Sequence, residues 1–195
     1  MSNPLLPLSV AILMAAASHP ATAQMAQTAP EAAEEAIGPT SMATTGDELP
    51  APSDVKTVAD FVVLATMSNN FEIQSSNLAL QKAQNQNVTA FAKRMLEDHS
   101  NASMALKQAV EESEDVDAVP TGLTAHYTEM VRKLEAVPAE QFDAPYLEMQ
   151  EQAHRTAITL FQTYSENGEE GPIQRFASET LPVLKQHLAM LEDME

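Results

Sequence analysis

Five side chains carry most of the chemistry that this sequence offers: Glu72, His99, Glu151, His154 and His187. His99 interrupts the series Val88, Ala92, Met95, Ala102, Leu106, Ala109, whose members recur every three or four positions, and His187 does the same among Ile173, Ala177, Thr180, Leu184 and Leu191. That spacing keeps residues on one face of a helix, so both imidazoles occupy positions that Leu or Ala would fill in a core. Glu151 and His154 form Glu-x-x-His, again one helical face, shared with Leu147, Ile158 and Phe161; Glu72 adjoins Phe71 and is expected in the same layer. A carboxylate and imidazoles arriving from separate helices are the ligand supply of a bundle-core metal site. The expectation is therefore a mononuclear centre for zinc, copper or another divalent ion, built from Glu72, His99, His154 and His187, with Glu151 as a further candidate.

Three other readings bear on those residues. A di-iron centre needs a second Glu-x-x-His, but Leu96 and Leu184 stand three residues before His99 and His187; oxidative di-metal chemistry, and enzymatic turnover generally, is not expected. Met95 and Met190 share helix faces with His99 and His187 and would suit reduced copper, although Met is also a common filler of irregular cores. The alternative without metal has each histidine hydrogen-bonded inside the core to a carboxylate or to the hydroxyl of Tyr127, Tyr146 or Tyr164. His126 has no such partner and is expected at the surface.

The elements that must position these groups are helices. Beyond Asp54 the apolar residues follow helical spacing, and glycine occurs only at Gly122, Gly168 and Gly171. The pattern predicts a first helix from an Asp54 cap to near Gln84, and a second from an Asn87 cap to the acidic run Glu111-Glu112-Ser113-Glu114-Asp115. A short helix follows between Pro120 and Val137. A third long helix runs from Ala139, with Pro138 in its opening turn, to about Asn167 before Gly168, and a last one from Pro172 to about Glu192, kinked or broken at Pro182. Four long helices and one short one between the second and third imply an all-α chain, an up-down four-helix bundle spanning 55–195.

The 195 residues carry 10 Lys+Arg against 28 Asp+Glu, a net charge of −18, and no Cys. Nucleic-acid phosphates or an anionic membrane face would need clustered cations that this chain lacks. Without cysteine there is no disulfide, thiolate nucleophile or sulfur-ligated zinc. Residues 1–23 read as a signal peptide: a short apolar run ending in Ala21-Thr22-Ala23, too short to span a bilayer, although its start lacks Lys and Arg. Residues 24–54 are rich in Ala, Pro, Thr and Ser, with six acids and no base. That composition predicts a disordered, self-repelling linker. The protein is thus expected to be exported to a periplasm, with secretion, or the signal segment kept as an anchor, being the alternatives.

Three motifs carry a resemblance. They are Phe91-Ala92-Lys93-Arg94-Met95-Leu96-Glu97-Asp98-His99-Ser100; Phe142-Asp143-Ala144-Pro145-Tyr146 followed by Met149-Gln150 and Ala153-His154; and Leu181-Pro182-Val183-Leu184-Lys185-Gln186-His187-Leu188. Together they resemble the bacterial family catalogued as domain of unknown function 4142, over a segment from about Asp60 to Leu191. The resemblance implies an exported, ferritin-like bundle of the outer membrane or periplasm; it supplies a fold and no reaction. On it, the family's acidic position falls on Glu72, its Asp-His pair on Asp98-His99, and its later histidines on His154 and His187. Many relatives carry Asp where this chain has Ala153. Neighbours on a helix diverge by about 100°, so His99 is expected inward and Asp98 at the edge. The function expected is non-catalytic binding of a metal ion or small ligand in envelope or stress homeostasis. The alternative is a structural or protein-interaction module.

Overall fold

The structure is a computed structural model that describes residues 49–113 and 119–194. The expected signal segment, and the expected linker up to residue 48, lie outside the described residues, as do 114–118. Among the described residues there are five α-helices and no strand: α1 Val58–Lys82, α2 Gln86–Glu111, α3 Ala125–Ala136, α4 Asp143–Asn167 and α5 Pro172–Glu192. Short 3-10 turns cover Pro52–Asp54 and Ala139–Gln141.

Three helix starts differ from the expectation. Thr57, not Asp54, caps α1: its hydroxyl accepts the Asp60 N–H at 3.1 Å and donates to the Asp60 carboxylate at 2.7 Å. Asn85, not Asn87, caps α2, its side-chain oxygen accepting the Asn87 N–H at 2.8 Å. In both cases the residue three or two ahead of the cap supplies the free N–H that a cap must satisfy. Pro138 does not open α4 either; it precedes the 3-10 turn, and Pro145 sits in the first turn of α4, where its missing N–H has no intrahelical partner to lose. The break expected at Pro182 is absent, because α5 stays helical across that exposed residue. Gly168 ends α4 as expected, but through a close approach rather than a left-handed turn. A Cβ there would lie 2.5 Å from the Tyr164 carbonyl oxygen and 2.7 Å from its ring.

Helix α1 packs along α2 and α4 along α5; α1 also meets α4, α2 meets α5, and α3 lies against α1. Asp143, opening α4, ties down the α1–α2 turn by accepting the N–H groups of Gln84 at 3.1 Å and Asn85 at 2.8 Å. At the same end the Lys82 ammonium donates to the carbonyls of Glu135 and Val137 at 2.6 and 2.8 Å, closing the C-terminus of α3.

The core is layered. At one end Phe61, Phe161, Phe176, Leu106, Leu160 and Ile173 form an apolar cluster; at the other Phe91, Met95, Leu134, Phe142, Tyr146 and Leu191 form a second. Between them α1 buries polar side chains, Asn69, Glu72, Ser75 and Ser76, opposite His99 of α2, Gln150 and His154 of α4 and His187 of α5. The two apolar layers hold the helices in register, and the polar slab between them gets its geometry from that register. No helix among the described residues is long and apolar enough to cross a membrane.

Candidate metal centre

The three imidazoles of the polar slab come from three helices and form a nearly equilateral triangle. Ring centroids are 5.6 Å apart for His99 and His154, 5.5 Å for His99 and His187, and 5.4 Å for His154 and His187. The rings are 1–3 % exposed. One nitrogen from each ring lies within 4.8 Å of the others.

Each ring is held from behind by an oxygen that can only accept a hydrogen bond. His99 Nδ1 is 2.9 Å from the Asn69 side-chain oxygen, His154 Nδ1 is 2.9 Å from the Gln150 backbone carbonyl, and His187 Nε2 is 2.9 Å from an Asp98 carboxylate oxygen. Those three nitrogens therefore carry the N–H. Burial drives all three imidazoles toward the neutral form, His99 far below its usual value and His154 to about 4; neighbouring rings add to the effect at His99 and His154, while the Gln150 carbonyl offsets part of it for His154 and Asp98 for His187. A neutral ring with its proton at one nitrogen has a lone pair at the other. The lone pairs of His99 Nε2, His154 Nε2 and His187 Nδ1 thus face one another across the slab.

His154 Nε2 and His187 Nδ1 are 3.3 Å apart, a hydrogen-bond distance with no proton to fill it. Turning His154 to its other tautomer would fill it, but would set a second lone pair against the Gln150 carbonyl. His99 Nε2 is fully buried and has no hydrogen-bond partner. Buried acceptors left in this state are destabilising by about 1–3 kcal/mol each. A cation between them would satisfy all three: tetrahedral zinc with nitrogen ligands at about 2.0–2.1 Å has edges of about 3.4 Å, close to the 3.3 Å His154–His187 separation, while the three donor atoms together lie within 4.8 Å of one another.

Glu72 is beside this triangle rather than in it. Its carboxyl is 3.7 Å from His154 Nδ1, the nitrogen turned away from the cluster. Burial pushes the Glu72 carboxyl up to about 8, only partly opposed by the Gln150 amide, so near pH 7 the contact joins two neutral groups and is not an ion pair. One carboxyl oxygen of Glu72, the Asn69 amide nitrogen and the Gln150 amide oxygen are buried without hydrogen-bond partners. Glu151, expected inward with His154, is turned outward and pairs with Arg155 at 2.7 Å. Three positions along a helix still leave about 60° between side chains, enough to put His154 in the core and Glu151 at its rim.

Met95 is fully buried in the second apolar cluster and Met190 packs against it. Tyr146 shares its hydroxyl with Ser76 at 3.3 Å and the Tyr127 hydroxyl is turned to Ser68, so neither tyrosine holds a histidine as expected. His126 is exposed. Asn69 and Gln150 were not anticipated as supports. Asn69 lies on a second α1 stripe with Val62, Ala65, Glu72, Ser76 and Ala79, a 3-4 spacing that marks it as inward. Asp98 is at the edge, as its angle from His99 requires, with its side chain 27 % exposed.

A family model described as domain of unknown function (DUF4142) matches residues 41–194. No curated protein and no solved structure is matched by the chain. The match covers most of the sequence, and the chain belongs to that family.

Proposed function

We propose that this member of the DUF4142 family is an exported, ferritin-like four-helix bundle that holds one divalent transition-metal ion, without turnover, in envelope or stress homeostasis. His99 Nε2, His154 Nε2 and His187 Nδ1 are the ligands. The observation that carries the reading is the convergence of three lone pairs whose opposite nitrogens are all engaged as donors. Three neutral nitrogens and no sulfur favour zinc or copper(II). Asn69, Asp98 and the Gln150 carbonyl fix the tautomers, as outer groups do in imidazole metal sites. Glu72 supplies a buried carboxyl that can balance part of the ion's charge. The pairing of α1 with α2 and α4 with α5, closed by the α1–α4 and α2–α5 contacts, supports the four-helix assignment. The apolar run before Ala21-Thr22-Ala23 supports export, and N-terminal sequencing should find a mature chain that starts at Gln24; one retaining Met1 would contradict cleavage.

Metal analysis of tag-free protein tests the centre. We expect one ion per chain, lost in His99→Ala and His187→Ala while the circular dichroism stays helical, and a rise in stability of about 2.7 kcal/mol at a free ion concentration a hundredfold over Kd. The second reading, a structural or interaction module with hydrogen-bonded core histidines, draws on the 3.3 Å His154–His187 contact. It predicts a metal-free protein whose melting temperature ignores zinc, copper, iron and manganese.

A further inference from the structure

The imidazoles are almost fully buried, so an ion cannot reach them without a route. Between α2 and α5 the surface opens into a groove of about 270 Å³. Small residues of α2, Ala102 and Ala105, leave its space, and Phe176 and Val183 of α5 face them. Asp98 and Val183 stand at the end nearest His187.

Asp98 is the group that meets both sides. Its carboxylate is partly exposed in the groove, yet one of its oxygens accepts the His187 N–H at 2.9 Å. The same oxygen takes the Arg94 Nε–H at 3.1 Å, from a side chain that is itself 47 % exposed. Glu179 adds a second acid to the groove wall. The three imidazoles are also not held alike. The N–H groups of His99 and His154 are held from inside the bundle by Asn69 and the Gln150 backbone, whereas that of His187 is held by Asp98, on the solvent side.

We propose that the α2–α5 groove is the uptake route of the metal centre and that Asp98 is its capture ligand. This rests on the reading of the three histidines as a metal site. A divalent cation drawn along the groove displaces the Arg94 guanidinium from the Asp98 carboxylate. The charge competition favours it, since a doubly charged ion replaces a singly charged, half-solvated group on a flexible stem. Once Asp98 holds the ion, His187 loses its outer partner and its ring is free to turn aside and admit the ion to the lone pairs of His99 and His154. Arg94 guards the route, and His187 is its gate.

Stopped-flow uptake of cobalt(II) by the metal-free full chain tests this, read by the visible absorption of the bound ion, with removal by EDTA giving the reverse rate. Wild type should bind one cobalt. Asp98→Asn should lower the association rate about tenfold, the scale of local electrostatic capture, whereas Glu151→Gln, which removes the same charge on another face, should leave it unchanged. Arg94→Gln should raise it several-fold. Ala102→Trp, which fills the groove, should slow uptake and removal by a common factor at unchanged stoichiometry; Thr180→Trp on the opposite wall serves if that variant fails to fold. A wild-type association rate in Asp98→Asn, with only faster loss, would reduce Asp98 to a positioning residue for His187 and overturn the capture role. Unchanged rates in the groove-filling variant would overturn the route, while one bound cobalt would leave the metal centre standing. A wild-type chain that takes up no cobalt overturns both.

Discussion

A histidine becomes a ligand only when the proton on its ring is placed at the far nitrogen, and in this chain three acceptors do that placing. Asn69 is the support easiest to remove cleanly. Asn69→Leu keeps the branched shape and heavy-atom count and deletes the oxygen that fixes His99; metal affinity should fall about 10–100-fold in a competition titration against a chelator. An unchanged affinity would mean that His99 needs no orienting partner. At this scale the sequence was informative about direction and silent about detail. The 3-4 spacing around His99 and His187 put both side chains inward, and the 100° step put Asp98 at the edge. The same spacing rule failed for Glu151, because an inward face has a rim, and Arg155 one turn on offered that carboxylate an ion pair in water. Which nitrogen bears a proton follows from groups that arrive from other helices, and spacing along one helix does not report them.

Among elements, the turn between α1 and α2 has the most identifiable fastening. Asp143 accepts two backbone N–H groups there from across the bundle. Bonds to a charged acceptor are worth about 1.5–3 kcal/mol each when buried and less when solvated, and these are exposed. Asp143→Ala should therefore lower stability by about 1–2 kcal/mol in urea unfolding, with the helix content retained. A loss under about 0.5 kcal/mol would show that the turn closes without it. The same contact explains why the start of α4 was misplaced from sequence. Asp143 reads as an ordinary residue inside a helix that begins at Ala139, but its carboxylate serves another element, and the helix begins where that carboxylate must point. The caps of α1 and α2 slipped by two or three residues for a related reason: Asp54, Thr57, Asn85 and Asn87 are all competent caps, and the choice among them depends on where tertiary packing starts the buried face.

For the whole molecule, the slab of titratable groups between two apolar clusters sets the pH response. The folded chain holds His99, His154 and His187 neutral below their usual 6.5, His154 down to about 4, so as pH falls from 6.5 toward 4 the unfolded chain binds protons that the folded one refuses, and stability is lost. Glu72 acts the other way: protonated up to about 8 when folded, against 4.5 unfolded, it withdraws stability as pH rises from 4.5 to 8. Three imidazoles outweigh one carboxyl below 6.5, and above it Glu72 acts alone. Metal-free protein should melt highest near pH 6.5, with a decline toward pH 8 that Glu72→Gln removes; a melting temperature that rises steadily from pH 6.5 to 8 would contradict a neutral Glu72. The amino-acid sequence by itself determined the helices and their inward faces, since period, glycine scarcity and charge are local properties that any chain with this pattern must express. Tertiary structure alone decided that His99, His154 and His187 meet, that Glu72 stands behind one ring, and that Asp98 links the site to water. Those relations join residues 30 to 90 positions apart, and only the register of packed helices, locked by apolar layers above and below, sets the distances between them.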